Sequence, residues 1–141
     1  MSDALQEFVG GIANSAELRY VILHHTGWPD HPNHYDFLLQ LNPGRDDNDR
    51  ALKAFATTAD LFPAVGSRFT MNEDHRRAYL DYEGPVSGGR GSVVRVDHGT
   101  LRWLFTSRNF KFIASGTKLY GVFCMREIFH GGYALEYLAE E

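Results

Sequence analysis

From His34 to Leu41 the chain alternates two kinds of side chain with a period of two. Tyr35, Phe37, Leu39 and Leu41 fall on one face, and His34, Asp36, Leu38 and Gln40 fall on the other. That period is the mark of a β-strand with one face turned to a core. Upstream, Arg19 to Leu23 is rich in β-branched and aromatic residues and reads as another strand. Thr26 to Asn33, with Gly27, Pro29 and Pro32, forms the loop between them. The pattern continues in short pieces at Leu52 to Thr58, Ser92 to Val96, Leu101 to Phe105, Asn109 to Ile113 and Leu119 to Ile128. Turns are expected at Asp97-His98-Gly99 and Ser115-Gly116, and a mobile polar connection at Asn42 to Arg50. Helical pieces are expected at Ala4 to Phe8 and Asp74 to Tyr79, with Tyr133 to Glu141 a short acidic helix or a frayed end. Asp60 to Gly66 reads as irregular, with Phe62 and Pro63 touching the core. Many short strands of this kind predict a mainly β fold, a small antiparallel β-barrel or sandwich with short helical segments.

The chain has 141 residues, which fits one domain with a real core and no internal repeat or linker. Its 43% hydrophobic and 13% aromatic content argues against disorder. No apolar run approaches a membrane span, and the acidic first residues carry no signal-peptide pattern. Cys124 is the single cysteine, so an internal disulfide is ruled out and a reducing cytoplasm is expected. A net charge of −4 does not advertise a nucleic-acid protein, but a local basic patch is what decides. Arg68, Arg76, Arg77, Arg90, Arg95 and Arg102 all fall in one middle stretch, interspersed with acids. Nothing in the composition calls for more than a monomer.

Four of the seven histidines lie between Leu23 and Asp36. His34-Tyr35-Asp36 on a strand places an imidazole and a carboxylate on one face, and His25 sits at the end of the preceding strand. Two neutral imidazoles and one carboxylate suit a divalent metal and leave coordination positions open, as a catalytic site requires. A structural site would normally fill all its positions, usually with cysteines. His24 points away from His25 if the strand persists, and His31 lies in the loop. Farther on, Asp74-His75-Arg76-Arg77-Ala78-Tyr79 sets a His and a Tyr four residues apart, on one face only if the backbone is helical. Gly84 to Ser92 is a glycine-rich turn that matches neither a P-loop nor a dinucleotide fingerprint.

Together these blocks resemble the 3'-phosphoesterase domain of bacterial DNA ligase D, the enzyme of non-homologous end joining. The matching residues are Tyr20-Val21-Ile22-Leu23-His24-His25, His34-Tyr35-Asp36-Phe37, Asp74-His75 with Tyr79, and Tyr82-Glu83-Gly84. Gly89-Arg90-Gly91-Ser92-Val93, Asp97-His98-Gly99-Thr100 and Gly116-Thr117-Lys118-Leu119-Tyr120-Gly121 follow in the family's order. The resemblance covers roughly residues 19–128 of a single domain, 1–141. It implies that His25, His34 and Asp36 hold a metal, with manganese the family's preferred ion. It further implies that His75 contacts the scissile phosphate and that Tyr79 stands beside it in the active site. The family carries an Arg that grips the phosphate two residues after the Asp; this chain has Leu38 there, and Gln40 in place of a Glu. The loop between the metal histidines is about three residues longer than in the family, and the glycine turn is shorter by a similar amount. Arg76, Arg77 and Arg90 are the candidates to supply the missing charge, because an aliphatic side chain does not replace a bidentate Arg–phosphate contact.

The expected activity is therefore metal-assisted hydrolysis of a phosphoester at a DNA or RNA 3' end, with His75 as proton donor, beside a separate ligase or polymerase. Two other classes compete. One is a non-catalytic DNA-end or partner-binding module on the same scaffold, kept open by Leu38. The other is a non-haem iron oxygenase using His34, Asp36 and either His98 or His130.

Overall fold

A computed structural model describes residues 17–58 and 65–139. The expectations for Ala4 to Phe8, Phe62 and Pro63 lie outside the described residues. Nine strands form one antiparallel sheet: β1 (Leu18–Thr26), β2 (His34–Gln40), β3 (Leu52–Thr57), β4 (Arg68–His75), β5 (Gly84–Pro85), β6 (Ser92–Thr106), β7 (Phe110–Gly116), β8 (Tyr120–Phe129) and β9 (Gly132–Ala139). The order is β1-β2-β3-β4-β9-β8-β7-β6-β5, and β1 also pairs with β6. The sheet thus closes into a barrel-like ring, with β5 a two-residue edge on β6. Closure pairs the outer strands with each other and removes the long exposed edges that would invite aggregation. No helix among the described residues is long and apolar enough to cross a membrane.

Alternation sorts the side chains as the sequence predicts. Tyr20, Ile22, Tyr35, Phe37, Leu39, Phe55, Trp103 and Phe112 fill the ring from inside. Residues of the opposite parity on β1, β2 and β3 face outward, where Val21, Leu23, Leu38, Leu52 and Ala54 build a second apolar cluster. A 3-10 turn (Arg77–Leu80) and the segment after it cover that cluster with Leu80 and Val86, and Tyr79 packs against it. His25, His34 and Asp36 lie on this same outer face, beside the cover.

Four local expectations are corrected. Asp74 and His75 end strand β4 (Arg68–His75) rather than opening a helical turn, which is a 3-10 turn shifted to Arg77–Leu80; only Phe69 is buried along β4. Asp97-His98-Gly99 is not a turn: β6 runs unbroken for 15 residues and pairs with β1 along its first two-thirds. The register shift between Ile22 and Leu23 absorbs Val96 as a bulge. Gly99 is small for packing, since a Cβ there would lie 2.4 Å from the Ser115 carbonyl oxygen. The C-terminal stretch is strand β9, with Tyr133 and Leu135 facing the interior and Glu136 paired to Arg126 at 2.9 Å. The Asn42 to Arg50 connection is tied down. Asp49 accepts from Arg45 N–H, Asp49 O accepts from Arg77 N–H at 2.8 Å, and Asp47 O accepts from Ala78 N–H at 3.1 Å.

Candidate metal centre

His25 and His34 stand directly opposite each other at the end of the β1–β2 ladder, and Asp36 faces Leu23 one step further in. All three project to the outer face, where one ligand atom from each lies within 4.8 Å of the other two. Hydrogen bonds orient both rings. His25 Nε2 is 2.6 Å from the Arg90 carbonyl oxygen, which can only accept, so that nitrogen carries a proton and Nδ1 is turned to Asp36. His34 Nδ1 is 3.1 Å from the Pro32 carbonyl oxygen, which turns Nε2 to Asp36. The two inner nitrogens lie 3.4 Å and 3.3 Å from the same oxygen, Asp36 Oδ2. Metal-binding histidines are ordinarily held this way, the outer N–H on a carbonyl and the inner nitrogen aimed at the ion.

Burial raises the Asp36 carboxyl pKa, but hydrogen bonds from His25 and His34, with the charges of His34 and His75, outweigh it and hold the pKa at about 2. Asp36 is therefore an anion although it is only 4% exposed. The His34 imidazole is raised by its hydrogen bond to Asp36, against burial. A buried carboxylate facing two imidazoles, with no Lys or Arg paired to it among the described residues, is what a divalent ion would complete. The donor set, two nitrogens and a carboxylate oxygen, fits manganese, iron or zinc and leaves positions open for substrate.

Neighbouring loops fix this arrangement. Gly91 holds a φ of 77°, and a Cβ there would lie 2.1 Å from the Thr26 carbonyl oxygen. Only glycine lets the Gly84 to Ser92 segment come this close to the end of β1, and that contact delivers the Arg90 carbonyl to His25. Opposite Asp36 on β3 stands Ala56, whose small side chain leaves the pocket floor open.

The triad opens into a pocket of about 720 Å³. His75 and Tyr79 both line it, their rings 5.7 Å apart and edge to face. They meet because the strand ends at His75 and the 3-10 turn starts at once, not because a helix spans both. His75 Nδ1 lies 3.0 Å from the Glu73 carbonyl oxygen, so its Nε2 is the nitrogen left to a ligand. Arg76 and Arg90 line the pocket, Arg76 over the Tyr79 ring and Arg90 bonded to Ser87 O and Oγ. Arg77 does not line it: its guanidinium binds Pro43 O and Asp47 on the neighbouring loop.

Two further arginines, Arg50 and Arg68, also line the pocket. Arg50 donates to the Asp74 carbonyl oxygen at 2.9 Å. Arg68, Thr70 and Asn72 alternate along β4 toward the pocket; that alternation was readable, but the charged run after it masked the strand. Leu38 shares a face with His34 and Asp36 but is fully buried beneath the covering segment, and the pocket wall does not include it. His24 stacks on Tyr35, away from the site, and His31 stands at the rim. His98 lines a separate shallow cleft with Arg19 and Thr100, and His130 lies in the β8–β9 turn. Neither joins His34 and Asp36 among the described residues, so the oxygenase ligand set is not assembled.

No protein-family model matches the chain, and no curated protein matches it significantly.

Proposed function

We propose that this chain is a divalent-metal-dependent phosphoesterase acting on nucleic-acid 3' ends, a 3'-phosphate or a 3'-terminal ribonucleotide, in DNA end repair. One observation carries the reading. His25 Nδ1 and His34 Nε2 converge on buried Asp36, each ring held by a carbonyl, in a pocket that Arg50, Arg68, Arg76 and Arg90 also line. The resemblance to the ligase D phosphoesterase domain supplies the substrate class. It also suggests work beside a separate ligase or polymerase.

His25, His34 and Asp36 would hold the ion, manganese by the resemblance, and it would supply Lewis-acid charge against the phosphate oxygens. The arginines give that phosphate further cationic partners, a task for which guanidinium is well shaped. Water attacks phosphorus, the bond from phosphorus to the sugar 3'-oxygen breaks, and His75 Nε2 gives its proton to the departing oxygen. Tyr79, edge-on to His75, orients that ring. Incubation with manganese and an oligonucleotide bearing a 3'-phosphate tests the reading. Phosphate release that disappears in Asp36→Ala supports it, and absence of release from the wild type overturns it.

Leu38, where the family has its phosphate-binding Arg, favours a second reading: a metal-holding end-binding module without turnover. Under it the same oligonucleotide binds and is recovered intact.

A further inference from the structure

The loop joining β1 to β2 folds back on itself between Trp28 and His31. Pro29 takes the second position of a tight turn, Asp30 follows with a φ of 64°, and His31 N–H donates to Trp28 O at 3.1 Å. Such a turn brings its first and fourth side chains together. Trp28 and His31 accordingly stack with ring centroids 3.9 Å apart and planes 23° apart. Trp28 also stacks on His25, at 5.5 Å and 19°. The loop is closed at its base by Gly27 N–H on Asn33 Oδ1 at 3.1 Å.

Three nearly parallel rings therefore run outward from the metal-centre His25 to the pocket rim. Trp28 is half-buried and explained in part by its packing on His25. His31 is exposed and lines the pocket at the outer end of the stack, where packing alone assigns it no task. We propose that Trp28 and His31 form a platform for the nucleobase of the terminal nucleotide, stacked there while its phosphate lies at the metal centre. The placement of the phosphate rests on the phosphoesterase reading. Stacking uses the flat π-face that every base has, so this platform selects a base over no base and tolerates any sequence. The substrate class is then a nucleotide-terminated phosphoester rather than inorganic phosphate or a simple sugar phosphate. A rigid turn suits the task, because little ordering remains to be done when the base arrives.

The test compares two 5'-fluorescein-labelled oligonucleotides with 3'-phosphates, one with a normal terminal nucleotide and one with an abasic terminal sugar. Each is mixed with the manganese-loaded full chain, and stopped-flow anisotropy reads binding before turnover, followed by phosphate release. The normal end should bind about 5- to 150-fold more tightly, the span that base–aromatic stacking gives. Trp28→Ala should bring it to the abasic level, and His31→Ala should remove a large part of the preference with His25 and its Trp28 neighbour intact. Equal binding of the two ends overturns the platform, as does a preference that survives both substitutions. A base preference without phosphate release leaves the platform standing and overturns the esterase; equal binding with equal release does the reverse.

Discussion

Leu38 decides between two accounts of the pocket, and its substitution has a calculable cost. If Leu38 were a pocket residue standing where a phosphate-binding Arg belongs, Leu38→Arg would be tolerated and would raise turnover. The side chain is instead fully buried among Val21, Leu23, Leu52 and Ala54, with Leu80 and Val86 over it. Leu38→Ala removes three buried carbons, about 2.4 kcal/mol at about 0.8 kcal/mol each. The cover over it is one 3-10 turn and an irregular segment, which can settle into part of the space, so the cavity adds only about 1 kcal/mol more. The expected loss is about 3 kcal/mol, or a fall of roughly 10 °C in Tm for a chain of this size. Leu38→Arg places a guanidinium in the same cluster with no carboxylate in it, at a cost of about 3–5 kcal/mol or more. Urea unfolding followed by tryptophan fluorescence measures both. Leu38→Ala within about 0.5 kcal/mol of the wild type, the range of ordinary surface substitutions, would refute the burial argument. So would a Leu38→Arg protein of normal stability that releases phosphate faster.

Gly91→Ala should weaken metal binding without touching a ligand, because its Cβ would meet the Thr26 carbonyl oxygen and push the Arg90 carbonyl off His25; unchanged manganese affinity by titration calorimetry would refute the coupling. His75→Ala should abolish phosphate release while manganese still binds, and full activity in that variant would remove His75 from the chemistry. The Tyr20 hydroxyl is raised above its ordinary value by burial and by its hydrogen bond to Asp97 at 2.7 Å. Its contribution to stability is thus complete below about pH 10, the unfolded value, and shrinks as pH rises and only the unfolded chain ionises. Tyr20→Phe should accordingly flatten the alkaline fall in urea midpoint, and an unchanged slope would contradict the assignment. Cys124 is buried and its thiol is raised, first by burial and then by Glu136, so a thiol reagent should react slowly at pH 8 in the native state and fast in urea.

The shared face of His34 and Asp36 and the inner face of β2 were legible because alternation fixes both from local sequence. His34, Asp36 and the aromatic set Tyr35 and Phe37 could not share a face. What escaped was non-local. Asp97-His98-Gly99 has turn composition, but continuous pairing with β1 keeps it extended, and Gly99 serves close approach to the neighbouring strand. β9 carries the helix formers Ala134, Leu135 and Glu136, yet Tyr133 and Leu135 find the ring interior and pull the segment into the sheet. β4 was obscured because its outward residues are the polar wall of the pocket, so Arg68 could not be placed until the strand was. The sequence showed Leu38 on the metal face; only the covering turn with Leu80 reveals that the position lies under a roof rather than in the pocket.

Manganese titration of the metal-free chain, by calorimetry beside the Asp36→Asn variant, tests the central claim most directly. The account predicts one ion per chain in the wild type. It also predicts a loss in the variant beyond the ~10–100-fold that follows from removing an outlying hydrogen-bond partner. No binding by the wild type, or equal binding by the two proteins, would contradict it.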